Sequence, residues 1–271
     1  MTFKESLKEL VPDKIWQAGG RTWDGIQRVN ADIEAALHPW RRDSIKKLQA
    51  LKDIHRGERC VIIGNGPSLN KTDIQKIRHE TTFGMNRIYP AWEEWGFTTS
   101  YFLSINDLVI EQCAEDIKNF PIPKFVSWRS HRWLAPQNDL HYLYTTYTGP
   151  KFATDVSKRV WEGATVTYVA MQLAYHMGFT TVVLIGVDHS FVSKGKPNQT
   201  VVSQGDDPNH FSPGYFGKGF RWQLPDLETS ELAYRMAHKA YVADGRQVLD
   251  ATIGGQLTVF PKVDYDLYFG D

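Results

Sequence analysis

The feature that most restricts the fold is a junction at residues 59–68. Arg59-Cys-Val-Ile-Ile63 is a continuous apolar run, and Gly64-Asn-Gly-Pro-Ser68 follows it without a spacer. A strand with one wet face alternates apolar and polar residues. A short run without alternation reads as a strand buried on both faces, the habit of a parallel sheet sandwiched by helices. The chain after Arg59 continues in that style. Strand candidates at Thr81–Met85, Ser100–Ile105, Lys124–Ser127, Thr181–Gly186 and Gln247–Leu249 alternate with helical stretches at Asp107–Asn119, Glu162–Met177 and Leu227–Asp244, and Asn70–Ile77 can open another helix. Gly178 and Gly245 stand where a left-handed residue closes a helix. The alternation predicts an α/β fold, a Rossmann-like, mostly parallel sheet with helices on both faces.

Residues 1–55 read differently. Leu7, Leu10, Ile15, Ile26, Val29, Ile33, Leu37, Ile45, Leu48 and Leu51 recur at helical spacing among charges, and Pro12, Gly19-Gly20 and Pro39 divide them. This predicts an N-terminal extension of two or three amphipathic helices, packed on the main domain or on a second copy of the chain. The main domain then spans 56–271. Within it, 190–221 is rich in Gly, Pro, Asn, Asp and Ser and lies between a strand and a helix, as an active-site lid would.

The chain has 271 residues, 42% hydrophobic and 23% charged, which suffices for one large core. Its 31 basic and 31 acidic residues cancel, so no global field recruits a nucleic acid or an anionic membrane. No apolar run reaches the roughly 18 residues of a membrane span, and the first residues lack the apolar core of a signal peptide. Cys60 and Cys113 are the only cysteines. The expectation is a cytoplasmic protein, with peripheral attachment at the inner membrane face left open.

The chemistry-bearing residues fall at strand ends. Gly64, Asn65, Gly66 and Ser68 follow the first strand; glycines admit close backbone approach, and exposed amides there receive phosphate. A tight turn capped by Ser68 or Asn70 is the plainer alternative. The loop is neither a Walker loop, having no Gly-Lys-Ser/Thr, nor the dinucleotide fingerprint, having Leu69 at the third glycine position. Asn86, Asn106 and Asp107 end the next two strands, where amides read ribose or base edges or merely form turns. Gly163 and Thr165 sit in the small first turn of a helix. Gly186, Asp188 and His189 end the clearest strand, where Asp188 can bind a ribose, orient a histidine or cap a turn, and His189 can be a catalytic acid or base or a plain loop histidine; His210 lies in the lid, where an imidazole can take a proton from a hydroxyl. Metal signals are weak: Asp264-Tyr-Asp266 and Asp206-Asp207 read as solvated acidic pairs, and no Cys/His zinc spacing occurs. No metal or other cofactor is expected.

Taken in order, Val61-Ile-Ile-Gly-Asn-Gly-Pro-Ser-Leu69, Asn86, Asn106, Gly163-Ala164-Thr165, Ile185-Gly-Val-Asp188 and Asn209-His210 resemble the bacterial sialyltransferases of glycosyltransferase family 42. They are still more similar to the proteins of domain of unknown function 115, which include motility-associated glycosylation factors and archaeal 6-hydroxymethylpterin diphosphokinases. The similarity runs from about Arg59 to Phe260, including the tail Asp250–Phe260. It implies transfer of a sugar, of the nonulosonic acid type, from a CMP-activated donor to a glycan or protein acceptor in cell-surface glycan synthesis, with inversion and without metal. Asn65, Gly66 and Ser68 would then hold phosphate and ribose, Asn86 and Asn106 cytidine or sugar, Thr165 and Asp188 the donor, and His210 would be the base. The sialyltransferases place tyrosines just after the Gly-Ile-Asp strand end. Here His189, Ser190 and Phe191 stand there, so Tyr215, Lys218 or Arg221 would stabilise the leaving phosphate instead. The alternatives are an Mg²⁺-dependent pterin diphosphokinase drawing on Asp107, Asp188 and Asp206-Asp207, and a non-catalytic nucleotide-binding protein.

Overall fold

The computed structural model describes residues 29, 32–192 and 195–270. Of the helical extension predicted over residues 1–55, residues 1–28, 30 and 31 lie outside the described residues. Two compact units are distinguished, Met1–Asp43 and Ser44–Asp271. Helix α1 is Pro39–Ala50, and no helix among the described residues is long and apolar enough to cross a membrane.

Ten strands follow in the second unit: β1 (Arg59–Ile63), β2 (Thr82–Met85), β3 (Tyr101–Ser104), β4 (Lys124–Ser127), β5 (Leu140–Thr146), β6 (Arg159–Trp161), β7 (Thr181–Ile185), β8 (Thr200–Val202), β9 (Arg221–Gln223) and β10 (Gln247–Asp250). Eight of them form one sheet in the order β10-β7-β1-β2-β3-β4-β5-β6, and every adjacent pair is parallel. The apolar run explains the centre: Cys60, Val61, Ile62 and Ile63 are fully buried, as are Val182 to Ile185 of β7 beside them.

The chain steps outward from β1 to β6, then returns across β1 to lay β7 and β10 on the other side. Right-handed crossovers put connections of opposite direction on opposite faces. Helices α2 (Ala91–Trp95) and α3 (Asp107–Lys118) therefore cover one face, and α4 (Val166–His176) and α5 (Leu227–Ala243) the other. Residues 167–174 of α4 are all buried, which is why this helix is apolar around most of its circumference. The Tyr241 hydroxyl of α5 donates to the Met171 carbonyl (2.7 Å) and ties the two helices together.

Three expectations need correction. Asn70–Ile77 is not a helix but two single 3-10 turns, Pro67–Lys71 and Ile74–Ile77. The helix expected from Glu162 starts at Val166, because Gly163 and Ala164 both have φ of 58° and cannot join a right-handed helix. The lid has regular structure: β8 lies within it and pairs antiparallel with β9, which begins at its last residue, Arg221.

Parallel strands bring all eight C-terminal ends to one edge. The order reverses between β1 and β7, and the crevice above such a reversal is where open α/β sheets receive ligands.

Candidate functional site

A cavity of about 630 Å³ opens above that reversal, within the usual range for small-molecule sites. Gly64, Asn65 and Gly66 form its floor on the β1 side; Gly186, Val187, Asp188 and His189 form it on the β7 side. The glycines are there because these loops touch each other. A Cβ on Gly64 would fall 2.2 Å from the Gly186 carbonyl oxygen, and one on Gly66 would fall 1.9 Å from Asp188 Oδ2. The expected amide cradle for phosphate is therefore not formed. Gly64 N–H donates to the Ile185 carbonyl (2.7 Å) and Gly66 N–H to the Gly186 carbonyl (2.9 Å). Ser68 does not line the cavity; its amide and hydroxyl donate to the two oxygens of Asp188 (3.1 and 2.6 Å). Asn65 donates through Nδ2 to the Met85 carbonyl (3.1 Å), and its Oδ1 is buried with no partner among the described residues.

Asn86 and Asn106 extend the floor under β2 and β3. The Ser104 hydroxyl donates to Asn86 Oδ1 (3.0 Å). Asn106 caps α3, its Oδ1 accepting from the amides of Leu108 (3.0 Å) and Val109 (3.4 Å). Asp107 points elsewhere, and its expected ligand role is corrected. Its carboxylate is occupied by Arg129 Nε (3.0 and 3.2 Å), and it is absent from the cavity wall. Arg129 also reaches Glu162 Oε1 (2.7 Å), the Tyr147 hydroxyl (2.9 Å) and the Thr145 carbonyl (3.0 Å). Burial opposes the guanidinium charge, but Glu162, Tyr147 and Asp107 outweigh it and hold its pKa above the ordinary value. Burial raises the Glu162 pKa, against the pull of Arg129. Glu162 and Tyr147 line the cavity; the sequence reading passed over Tyr147 and Arg129 entirely, since neither stands in a recognisable motif.

The start of α4 supplies a further wall. Thr165 is its N-cap, accepting from the Thr167 amide (3.3 Å). No acidic residue occupies the first turn, so the positive helix end is uncompensated. Gly163 is required for packing: a Cβ there would strike the Ala233 Cβ at 2.5 Å. The start of α5 faces the same space but carries its own anion, the N-cap Asp226.

The lid closes the top. Phe211 N–H donates to the Asn65 carbonyl (2.9 Å), which sets His210 above the β1 loop. His210 Nδ1 pairs with Asp207 Oδ2 at 2.8 Å, leaving Nε2 as the nitrogen that is available to a substrate. Asp207 is 7% exposed, so it is not the solvated acid its sequence suggested. The His210 ring stacks on Tyr215 with centroids 4.0 Å apart and planes 5° from parallel. Tyr215 itself is corrected. It is buried outside the cavity wall, its hydroxyl accepting from the Arg87 amide (3.1 Å), and it serves as the bed of the imidazole. Lys218 and Arg221 are likewise absent from the wall; Arg221 pairs with Glu111 (2.8 Å). The Asp207–His210 spacing of three residues was the signal that could have identified the dyad.

Eleven of the fourteen expected residues thus meet around one cavity, and Ser68, Asp107 and Tyr215 do not. Strain gathers there as well. Five described non-glycine residues have positive φ, and four of them, Asn86, Ala164, His189 and Asn198, line this cavity. The described wall carries Glu162, Asp188 and Asp226 but no Lys or Arg. The arrangement is a polar cavity with a carboxylate-oriented imidazole on its wall.

Over residues 38–194, more than half of its length, the chain matches the family described as 6-hydroxymethylpterin diphosphokinase MptE-like. Among solved structures, "Structure of MAf glycosyltransferase from Magnetospirillum magneticum AMB-1" aligns at a TM-score of 0.49 and 14% identity. That alignment covers 85% of this chain and 39% of the other, so this chain spans about two-fifths of that protein. No curated protein matches it.

Proposed function

The chain belongs to the 6-hydroxymethylpterin diphosphokinase MptE-like family, and on that premise we propose that it is a transferase moving a group from a nucleotide-activated donor to an acceptor hydroxyl. The observation that carries this reading is the Asp207–His210 pair in the cavity roof. Asp207 accepts a hydrogen bond from Nδ1–H and so fixes the tautomer with a lone pair on Nε2. Nε2 takes the acceptor's hydroxyl proton as its oxygen bonds to the donor's electrophilic atom, and the nucleotide departs with the bonding electrons.

The donor is a CMP-activated sugar of the nonulosonic acid type, the acceptor a glycan or protein hydroxyl, and a single displacement inverts the anomeric carbon. The charge of the wall supports this choice. With three carboxylates and no Lys or Arg in the described lining, a phosphodiester with one negative charge is easier to hold than a triphosphate. The open end of α4 offers that phosphate a positive terminus.

The family's description favours a second reading, diphosphoryl transfer from ATP to a pterin hydroxymethyl group. A divalent cation would then offset the triphosphate. No group of three or more His, Cys, Asp or Glu among the described residues is arranged to hold one, so the cation would arrive on the phosphates.

Incubation with CMP-sugars, and separately with ATP, Mg²⁺ and 6-hydroxymethylpterin, distinguishes the two by release of CMP or AMP. In either case His210→Ala should lower kcat by about 10²- to 10⁴-fold, and Asp207→Asn by a lesser factor, with donor affinity retained. Turnover of His210→Ala at the wild-type rate would remove the base and the proposal with it.

A further inference from the structure

We propose that Tyr147 is a stacking platform for a flat heterocyclic ring of the ligand, a ring subsite at the far end of the cavity from His210. The inference rests on the cavity being the ligand site, and it is independent of which group is transferred.

Tyr147 follows β5 and lines the cavity, yet it is 64% exposed. Exposed tyrosines at strand ends usually swing freely. This one is fixed from two directions. The Arg129 guanidinium carbon lies 4.5 Å from its ring centroid, and Arg129 Nη2 donates to its hydroxyl at 2.9 Å. Arg129 cannot swing either, because Asp107 (3.0 Å) and Glu162 (2.7 Å) clamp it from separate strand ends and the Thr145 carbonyl takes Nη1 (3.0 Å). The backbone is held as well: Trp161 Nε1 donates to the Tyr147 carbonyl (3.1 Å). Arg129 covers one ring face, and at 64% exposure the residue leaves much of its remaining surface open. A rigid, exposed aromatic surface costs little entropy to use, and what it recognises is another π face.

Position decides what part of the ligand this is. His210 is clasped above Asn65 at the end of β1, and β5 is four strands away. Four spacings of about 4.8 Å put the Tyr147 backbone roughly 19 Å along the sheet edge, and from there the ring leans back toward Arg129, which also reaches Ile105 and Asp107 at the end of β3. A ring seated there is remote from the reacting atoms and works as a handle, contributing binding energy away from the chemistry. Two sources provide such a ring: the nucleobase of the donor, or a heterocyclic acceptor.

Calorimetric titration of CMP, UMP, ATP with Mg²⁺, and 6-hydroxymethylpterin into wild type, Tyr147→Ala, Tyr147→Phe and Tyr147→Trp tests the assignment. The expected result is a loss of about tenfold or more in affinity for a ring ligand in Tyr147→Ala, with Tyr147→Phe and Tyr147→Trp close to wild type. Loss across the nucleotides assigns the seat to the donor base; loss on the pterin alone assigns it to the acceptor. Equal affinities in Tyr147→Ala and wild type, or no binding of any of the four to wild type, overturns the platform. His210→Ala serves as the separate control. If it loses turnover while Tyr147→Ala binds normally, the platform fails and the transferase reading stands. If it turns over normally while Tyr147→Ala loses binding, the platform stands alone.

Discussion

His189 and His210 bring the same imidazole to the same cavity and are held in opposite ways. His210 gains a carboxylate at 2.8 Å and an aromatic bed. His189 has φ of 54°, a left-handed backbone, and its nearest acid, Glu231, is 3.9 Å away. Burial therefore lowers its pKa, and Glu231 and Asp250 only partly restore it. The consequence for stability has a definite sign. An unfolded histidine titrates near 6.5. Below that pH the unfolded chain takes up a proton that native His189 still refuses, so native stability falls as the pH drops toward the depressed native value. Asn tolerates the left-handed region, so His189→Asn removes the proton site and keeps the turn. Urea midpoints between pH 8 and pH 5 should fall less for this variant than for wild type. Identical slopes would mean that His189 protonates as easily folded as unfolded.

Polar residues at strand ends serve the elements before they serve a ligand. Asn106 fastens two amides of α3, and losing such a cap costs about 1 kcal/mol. Asn106→Ala should therefore lower stability by that amount, whereas Asn106→Ser should restore it, since serine caps as well. If Asn106→Ser recovers the melting temperature but not ligand affinity, the amide also binds ligand; if it recovers both, Asn106 is a cap only. This double duty limits what could be read from the chain. β1 and β7 were legible because burial on both faces leaves an unbroken apolar run. β5 and β6 were not: Leu140–Thr146 carries His141, which is buried by stacking on Phe125 at 4.8 Å, and Arg159–Trp161 is three residues long. The positive φ of Ala164 likewise left no mark in residue type, and so the start of α4 was expected four residues early. The site residues on β1, β2, β3 and β7 were visible as strand-end polar groups, whereas the Arg129 clamp depends on pairings across four strands that spacing does not encode.

At the scale of the whole molecule, the strand ends line one side of the cavity, and Phe191, Asn198, Asn209 and His210 of the segment 190–221 line another. The lid is tied to the rest of the domain through Asn65, Asn70, Arg87 and Gln112, and to itself through an aromatic cluster. Phe216 lies at the centre of its aromatic cluster, with ring centroids 4.9 Å from His210, 4.8 Å from Tyr215, 4.9 Å from Phe220 and 5.2 Å from Trp222. The Ser203 hydroxyl donates to its carbonyl (2.5 Å), which fastens the cluster to the end of β8. Removing the ring takes support from the dyad without touching the cavity wall. A buried Phe→Ala change costs about 3 kcal/mol or more. Here that cost falls on local opening of the lid, because the sheet core does not include Phe216. Lys218 and Arg221 lie inside the lid and report that opening as trypsin sites. Phe216→Ala should be cut there about a hundredfold faster than wild type under conditions where cleavage follows the open population. It should lose most of its kcat through the misplaced imidazole and keep a main melting transition close to wild type. Equal cleavage rates would show that the lid is held from below, by the Phe211–Asn65 clasp. In that case the aromatic cluster would serve to orient His210 without closing the cavity.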